Sequence, residues 1–330
     1  MQELKGKTVL LLAPKFFGYE LEIKKELEIY GSKVFLYDER PKNDFFTKVC
    51  IRLNLKSFIS KNIDKYYKNI IEETKNIKID YLFLVNPETI DQKVIEYIKK
   101  LNPNIKVYTY MWDSIKNKRK SLDLLPISDK FFTFDSSDKE IDSSIKFLPL
   151  FYIRDYENVS KKKEYKYDIS FIGSVHSDRY SIVKQISKSK FNMFMYFFSP
   201  SKILFLIQNI LYNEFRKIEK DDISFVSLDK KEIIDIIENS KSVIDIEHPM
   251  QNGLTMRTME MLGAKKKLIT TNKNIRDYDF YNDNNIYIID RNNPIIDKDF
   301  INSEYQELDI NIYEKYSLRN WIKNIFEGER

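Results

Sequence analysis

The stretch SVIDIEHPMQNGLTMRTMEMLGAKKKLITTN, residues 242–272, combines two apolar runs with a central segment of helical spacing. The runs suit buried strands, and the segment between them suits a loop followed by an amphipathic helix. Gly253 stands where the loop enters that helix. A strand, helix and strand in this order are typical of a parallel sheet flanked by helices, so the stretch predicts an α/β fold.

The same alternation runs through the rest of the chain in two series. Strands are predicted to begin at Thr8, Lys33, Asp80, Lys106 and Lys130 in the first series, and near residues 167, 191, 223, 242, 267 and 285 in the second. Helices fit at 19–30, 56–74 and 88–100. The charged stretch RDYENVSKKKEYK, residues 154–166, has the composition of a linker. We therefore predict two doubly wound, Rossmann-like domains facing across a cleft, with ligands beyond the carboxyl ends of the strands.

The predicted domains are residues 1–152 and 153–310, followed by a C-terminal helix within 311–330. The segment NIYEKYSLRNWIKNIF, residues 311–326, has apolar positions at helical spacing. Its helix either packs in the core of its own domain or returns across the domain junction.

Composition excludes several classes of site. The 330 residues include only seven glycines, and no two of them form Gly-x-Gly, which excludes the glycine-rich dinucleotide, Walker and kinase loops. The formal net charge is +5 and the signs alternate along the chain, so no extended nucleic-acid surface is expected. One cysteine and two histidines are too few for a thiolate or histidine metal centre. We expect neither a metal nor a bound cofactor.

The beginning of the chain, MQELKGKTVLLLAP, has an apolar run too short and too closely followed by charge for a signal peptide. No apolar stretch reaches the ~18 residues of a membrane span. A cytoplasmic protein is therefore expected.

The helix after Gly253 offers backbone N–H groups and a positive dipole end to a diphosphate. Thr255 can add a hydroxyl, and Arg257 a planar set of donors, to phosphate oxygens. Glu260 lies about two turns into the helix, where a carboxylate suits the hydroxyls of a ribose. Alternatively, Arg257 and Glu260 form an ordinary i, i+3 surface pair and Thr255 is a helix cap.

A second candidate segment is FIGSVHSDR, residues 171–179. Gly173 and Ser174 end a strand where backbone can approach a ligand closely, and His176 and Arg179 can reach phosphate. The alternative is a tight turn in which Ser177 is the cap and Arg179 is solvated. His248 and Asn272 also follow predicted strands, where each can either contact a ligand at the strand ends or serve as a structural hydrogen-bonding residue.

The first half supplies candidates for ligand contacts and for a general base. Asp113 follows a strand and adjoins Trp112, whose ring suits the C–H face of a sugar, but Asp113 can equally cap the next helix. Asp135 is interpreted as a cap. Further candidates for contacts in the cleft are Phe17, Gly18, Tyr19 and Arg40.

The aromatic and aliphatic run FNMFMYFFSPSKILFLIQNILYNEF, residues 191–215, permits two interpretations. One interpretation of its second part is a buried domain helix. Flanking lysines also permit docking on the anionic inner face of a membrane.

Several of these segments resemble one family. The run QNGLTMRTMEMLGAKKKLITTN, residues 251–272, is similar to the donor-binding segment of bacterial glycosyltransferases encoded in capsule, exopolysaccharide and lipopolysaccharide loci, related to CgeB-like proteins and of the family 1 type. The similarity extends to FFGYE, YDERP, YMWDS, FTFD, FLPLFY and FIGSVHSDR along nearly the whole chain.

The resemblance implies a GT-B fold and metal-independent transfer of a hexosyl or deoxyhexosyl group from a nucleotide-diphosphate-sugar to a glycan acceptor. The C-terminal domain would hold the donor and the N-terminal domain the acceptor, which is expected to be lipid-linked. Gly253, Leu254 and Thr255 would face the diphosphate beside Arg257, and Glu260 would bind the ribose. Alternatives are a nucleotide-sugar epimerase on the same fold and a non-catalytic subunit that binds nucleotide-sugar or glycan.

One position departs from the family pattern. Many retaining GT-B enzymes carry another glutamate eight residues before the ribose-binding one, whereas this chain has Asn252 there. The stereochemical outcome of the transfer therefore stays open.

Overall fold

The structure is a computed structural model that describes residues 2–52, 55–249 and 251–328. The chain divides into two compact units. The first comprises the residues up to Pro149 together with those from Leu318 onward, and the second comprises Leu150–Ser317. Each unit contains a six-stranded parallel sheet, which confirms the predicted α/β class.

In the first domain the strands are β1 (Thr8–Ala13), β2 (Lys33–Asp38), β3 (Tyr81–Val85), β4 (Lys106–Met111), β5 (Lys130–Thr133) and β6 (Ile145–Phe147). The helices of its main segment are α1 (Tyr19–Ile29), α2 (Phe45–Arg52), α3 (Ser60–Thr74) and α4 (Gln92–Leu101), with 3-10 helices at Lys56–Ile59, Arg119–Ile127 and Ser136–Glu140. The strand order is β2-β1-β3-β4-β5-β6. The chain leaves β1 towards β2 and then returns to place β3 on the other side of β1, so the topological switch point lies between β1 and β3.

In the second domain the strands are β7 (Tyr167–Ser174), β8 (Met193–Phe198), β9 (Ile223–Ser224), β10 (Ser240–Asp245), β11 (Lys267–Thr270) and β12 (Ile286–Ile288). The helices are α5 (Arg154–Glu157), α6 (Arg179–Ile186), α7 (Lys202–Leu211), α8 (Asn213–Arg216), α9 (Lys230–Glu238), α10 (Met256–Gly263), α11 (Lys298–Asn302) and α12 (Ile310–Lys315), with 3-10 helices at Lys220–Asp222 and Lys273–Asp277. The order is β12-β11-β10-β7-β8-β9, which places the switch point between β7 and β10.

The strands at the centre of each sheet are apolar because both of their faces are covered. Val9, Leu10, Leu11 and Leu12 of β1 and residues 82–85 of β3 have no exposed surface. Continuous apolar runs of this kind are typical of parallel sheets. This explains why the strands could be located from the sequence to within a few residues.

The end of the chain differs from the single helix that its sequence predicts. Helix α12 stops at Lys315, and a separate helix α13 spans Leu318–Phe326. Between them the N–H of Tyr152 donates to the carbonyl of Tyr316 (2.9 Å), and Tyr152 forms an isolated parallel bridge with Ser317. This strand-like pairing with Tyr152 interrupts the helix.

Helix α13 belongs to the first domain and completes its core. The ring of Trp321 lies 4.7 Å from that of Tyr110, and the ring of Phe326 lies 5.1 Å from that of Tyr81, as centroid distances. The apolar stripe seen in the sequence therefore packs against the sheet that contains β3 and β4.

The interpretation of α7 as a buried domain helix is wrong. Its Phe205 is buried, but most of its other large apolar side chains are exposed. Within the described ranges, no helix has the length and apolarity needed to cross a bilayer.

Candidate functional site

The candidate donor-site residues of the second domain collect at its switch point, in the loops that follow β7 and β10. Gly173 in β7 is required by close packing: a Cβ there would lie 2.8 Å from Cζ of Phe171 and 3.3 Å from Nη1 of Arg179. Glycine at this position lets the Phe171 ring pack closely against the strand, with the guanidinium of Arg179 beside it.

Arg179 joins the two strands rather than extending into solvent. Its Nε donates to the carbonyl of Ile246 (2.6 Å), and its Nη1 donates to the carbonyl of Ser174 (3.2 Å). Burial lowers the pKa of its guanidinium, an effect that nearby Asp245 opposes and nearby Arg257 reinforces. The predicted segment therefore contributes a cation fixed between the two loops, while Ser174 itself is exposed.

Asp245, at the end of β10, fixes the start of α10. Its Oδ2 accepts hydrogen bonds from the hydroxyls of Thr255 (2.6 Å) and Thr258 (2.7 Å). Thr255 is the N-cap, and its Oγ1 accepts from the N–H of Thr258 (3.4 Å). Because the one hydroxyl proton of Thr255 goes to Asp245, this side chain acts here as a cap and a link to β10. Gly253 and Leu254, which precede it, are both buried.

Arg257 and Glu260 form the i, i+3 pair allowed by their spacing, but not at the surface. The distance from Nη1 of Arg257 to Oε2 of Glu260 is 2.6 Å, and the two side chains are only 16% and 9% exposed. An ion pair of this kind carries a large desolvation cost and is weak evidence for a stabilising role. The pair nevertheless places two opposite charges on α10, the helix that follows β10.

Arg291, which follows β12, is a charged residue of this site that the sequence did not single out. Its Nη1 donates to both oxygens of Asp178 (2.8 and 2.9 Å), and its Nη2 donates to Oε1 of Glu247 (2.5 Å). The hydroxyl of Thr271 donates to the other oxygen of Glu247 (2.5 Å). Arg291 could have been identified from the sequence because it lies just beyond a predicted strand.

The two histidines of the chain also meet at this switch point. The rings of His176 and His248 lie 5.7 Å apart, and Nδ1 of His176 is 3.0 Å from Oγ of Ser177. Asn272 lies on the loop side of the same sheet and donates to the carbonyl of Gly253 (3.4 Å). The structure thus brings together the candidate residues from the two segments 171–179 and 242–272.

The first domain holds Asp113 at its own carboxyl edge. The N–H of Asp113 donates to Oδ1 of Asn86 (3.1 Å), and Nδ2 of Asn86 donates to Oδ2 of Asp113 (3.1 Å). Asn86 follows β3 with a φ of 47°, a conformation that asparagine tolerates better than most residues. Asp135, by contrast, is a helix cap as predicted, since its Oδ1 accepts from the N–H of Ser137 (3.1 Å).

An aromatic surface lies beside Asp113. The ring of Phe16 lies 5.8 Å from that of Trp112 and 4.9 Å from that of Phe17, and Phe16 and Phe17 are exposed. Phe17 and Gly18 both have positive φ, 49° and 79°, in the turn that begins α1. Tyr19 is buried, so its ring belongs to the core. Phe16, missed in the sequence, is the residue that links the turn to Trp112.

Arg40 is held by a buried carboxylate. Its Nε donates to Oε2 of Glu88 (2.9 Å), while Lys118 pairs with the other oxygen of Glu88. Adjacent Glu39 is fully buried, accepts from the N–H groups of Glu88 and Thr89 through Oε1, and has its pKa raised by burial to about 7. The guanidinium of Arg40 is thus engaged within the domain.

No protein-family model matches the chain, and no curated protein sequence matches it significantly. Solved structures match the chain. A glycosyltransferase from Rickettsia africae ESF-5 matches with a TM-score of 0.53 at 16% identity, over 97% of this chain and 94% of that one. AviGT4, a glycosyltransferase involved in avilamycin A biosynthesis, matches with a TM-score of 0.55 at 8% identity, over 98% and 99%.

A third solved structure is Anabaena Alr3699/HepE in complex with UDP and glucose. Its TM-score is 0.51 at 10% identity, and the match covers 97% of this chain and 95% of that one. At these identities the likeness concerns the fold. Two parallel-sheet domains together with these neighbours show that this chain has the two-domain, Rossmann-like GT-B fold.

Proposed function

We propose that this protein is a glycosyltransferase that moves a hexosyl or deoxyhexosyl group from a nucleotide-diphosphate-sugar to a glycan acceptor. The main support is the collection of Arg257, Glu260, Arg179 and both histidines at the switch point of the second domain in a GT-B fold. Switch points are where open α/β sheets bind their ligands. The neighbours add support because two are described as glycosyltransferases and one was solved with UDP and glucose.

In the proposed donor complex, the backbone of Gly253, Leu254 and Thr255 and the first turn of α10 face the diphosphate. The positive end of the helix and the guanidinium of Arg257 would stabilise the negative charge that develops on the leaving group. Glu260 would accept hydrogen bonds from the ribose. The loop after β7, with Gly173, Ser174, His176 and Arg179, would flank the phosphates, with His248 and Asn272 beside the sugar end.

In the proposed acceptor complex, the exposed rings of Phe16 and Phe17 with Trp112 provide apolar faces for a sugar. If the transfer inverts configuration, Asp113 is the general base that removes the proton from the attacking hydroxyl. The protein chain would supply the charge stabilisation itself, without a metal. The acceptor is proposed to be a lipid-linked glycan of bacterial capsule, exopolysaccharide or lipopolysaccharide synthesis, with the enzyme working at the inner face of the plasma membrane.

A two-step experiment tests this proposal. Thermal-shift measurements against UDP-, GDP- and dTDP-sugars identify the donor, with CMP-sugars, which carry a single phosphate, as the comparison. The selected donor is then incubated with lipid-linked glycan fractions. Transfer of the labelled sugar is expected. Conversion of the free donor to its epimer without an acceptor would indicate an epimerase, and donor binding with neither transfer nor hydrolysis would indicate a binding subunit.

A further inference from the structure

Helix α7 presents a continuous aliphatic stripe to solvent. Ile203, Leu206, Ile207, Ile210 and Leu211 are each between 44% and 70% exposed. Their spacing of i, i+3, i+4, i+7 and i+8 places all five on one face of the helix. Isolated exposed apolar residues are ordinary on a protein surface, whereas a contiguous apolar patch marks a binding surface.

The helix itself is firmly built, so the stripe is not the result of a frayed segment. On the opposite face Phe205 is buried, with its ring 6.2 Å from that of Phe215 and 6.1 Å from that of Phe225. At the start, Oγ of Ser201 accepts from the N–H of Ile203 (3.2 Å). At the end, Nη2 of Arg216 donates to the carbonyl of Ile210 (2.9 Å). The domain thus holds α7 with its apolar side outward.

The segment of the chain that contains α7 carries a net positive charge. Residues 184–222 carry seven Lys and Arg against four Asp and Glu, a net charge of 7 − 4 = +3. Two of the four acids, Glu219 and Asp222, pair with Lys184 at 3.5 and 2.9 Å. Exposed Lys202 begins the helix, and exposed Lys217 and Lys220 follow it. An apolar stripe bordered by lysines complements an anionic lipid surface, which offers acyl chains below a layer of phosphates.

We propose that α7 docks the protein on an anionic bilayer, lying in the plane of the interface. The five aliphatic side chains enter the acyl boundary, while Lys202, Lys217 and Lys220 contact lipid phosphates. Tyr212, half exposed just after the helix, sits at the level of the headgroups, where its ring and hydroxyl are both accommodated. This inference concerns where the protein resides and holds whether or not it transfers a sugar.

Vesicle flotation of the full chain without any nucleotide-sugar tests the inference. Wild-type protein is expected to float with phosphatidylglycerol vesicles and to bind phosphatidylcholine vesicles about tenfold or more weakly, because only the former attract the lysines. The double variant Ile207→Asp/Ile210→Asp should bind phosphatidylglycerol vesicles about tenfold or more weakly than wild type, since it places two charges in the apolar stripe. Lys217→Glu/Lys220→Glu should lose the preference for anionic lipid.

The matched control is Ile295→Asp, an isoleucine of the same domain that is 66% exposed, like Ile203. It should float as wild type does. Thermal unfolding checks that each variant is folded. Equal flotation of wild type and the Ile207/Ile210 variant would overturn the inference. So would a wild-type dimer in light scattering that the same variant converts to monomer, with no vesicle binding, because the stripe would then join two copies. Donor-induced thermal shifts, measured separately, report on the transferase proposal.

Discussion

Asn86 and Asp113 hold each other through two reciprocal hydrogen bonds of 3.1 Å, one from the Asp113 backbone N–H and one from the Asn86 amide. The pair spans the ends of the adjacent strands β3 and β4. Asn86 is buried and has a positive φ, so its amide cannot easily reorient. The carboxylate of Asp113 is therefore held in one position by Asn86, which is compatible with the general-base role proposed for it.

Asp113→Asn should lower kcat by about 10²- to 10⁴-fold while leaving donor affinity within about twofold, because the amide keeps the shape but cannot take a proton. Steady-state transfer and donor titration measure the two quantities. Asp135→Asn is the control, since Asp135 caps a helix after the neighbouring strand and an asparagine can still cap. Loss of donor binding in Asp113→Asn, with kcat retained at saturating donor, would reject Asp113 as the base.

Arg257→Ala should weaken binding of the nucleoside diphosphate by about tenfold or more, with a much smaller effect on the nucleoside, because a guanidinium recognises phosphate oxygens. Calorimetric titration gives both affinities. Lys265→Ala is the control. It removes a cation that pairs with exposed Glu307 in the same domain, and it should change neither affinity. If Arg257 only supports the fold, its loss will weaken both ligands equally.

Gly173→Ala should destabilise the protein by about 1–3 kcal/mol, the usual cost of overpacking. The added Cβ would lie 2.8 Å from the Phe171 ring, which is buried and cannot move away freely. Denaturant unfolding measures the change in the free energy of unfolding. Ser174→Ala, at the adjacent exposed position, should shift it far less; equal effects of the two variants would show that the close contact is unimportant.

The pKa of Glu39 predicts a specific pH dependence. Burial raises that pKa from 4.5 to about 7, so between these values the folded state holds a proton that the unfolded state releases. The resulting stabilisation is complete below about pH 4.5 and is lost as the pH rises through 7. Glu39→Gln cannot titrate, so its free energy of unfolding relative to wild type should increase by on the order of 3 kcal/mol between pH 4.5 and 8. A difference that is constant with pH would contradict this.

Much of the fold could be predicted because burial and secondary structure leave local signals. Apolar runs marked the central strands, and β1, β2, β4, β5 and β11 begin at the residues predicted. The edge strand β9 also begins where it was predicted, near residue 223, whereas the edge strand β6, of three residues, is too short for a clear pattern and was not predicted. The break at Tyr316 depends on pairing with Tyr152, 164 positions earlier, which no local pattern reveals.

Local sequence patterns also could not predict how the residues of the candidate sites contact one another. Spacing indicated that Arg257 and Glu260 could pair, but not that the pair would be buried. The aliphatic positions of α7 were visible as helical periodicity, yet periodicity is identical for a face that meets the core and a face that meets solvent. Arg291 and Phe16 join their sites through tertiary contacts with Glu247 and Trp112.

The most direct test of the central claim is a thermodynamic cycle between Glu260 and the ribose of the donor. Affinities of wild type and Glu260→Ala are measured for the nucleoside diphosphate that the donor screen selects and for its 3′-deoxy analogue. A hydrogen bond to a carboxylate contributes about 1.5–3 kcal/mol, so wild type should bind the parent nucleotide roughly 10- to 100-fold more tightly than the analogue. Glu260→Ala should bind the two equally. Discrimination that persists undiminished in Glu260→Ala would contradict the assignment of α10 as the donor-binding helix.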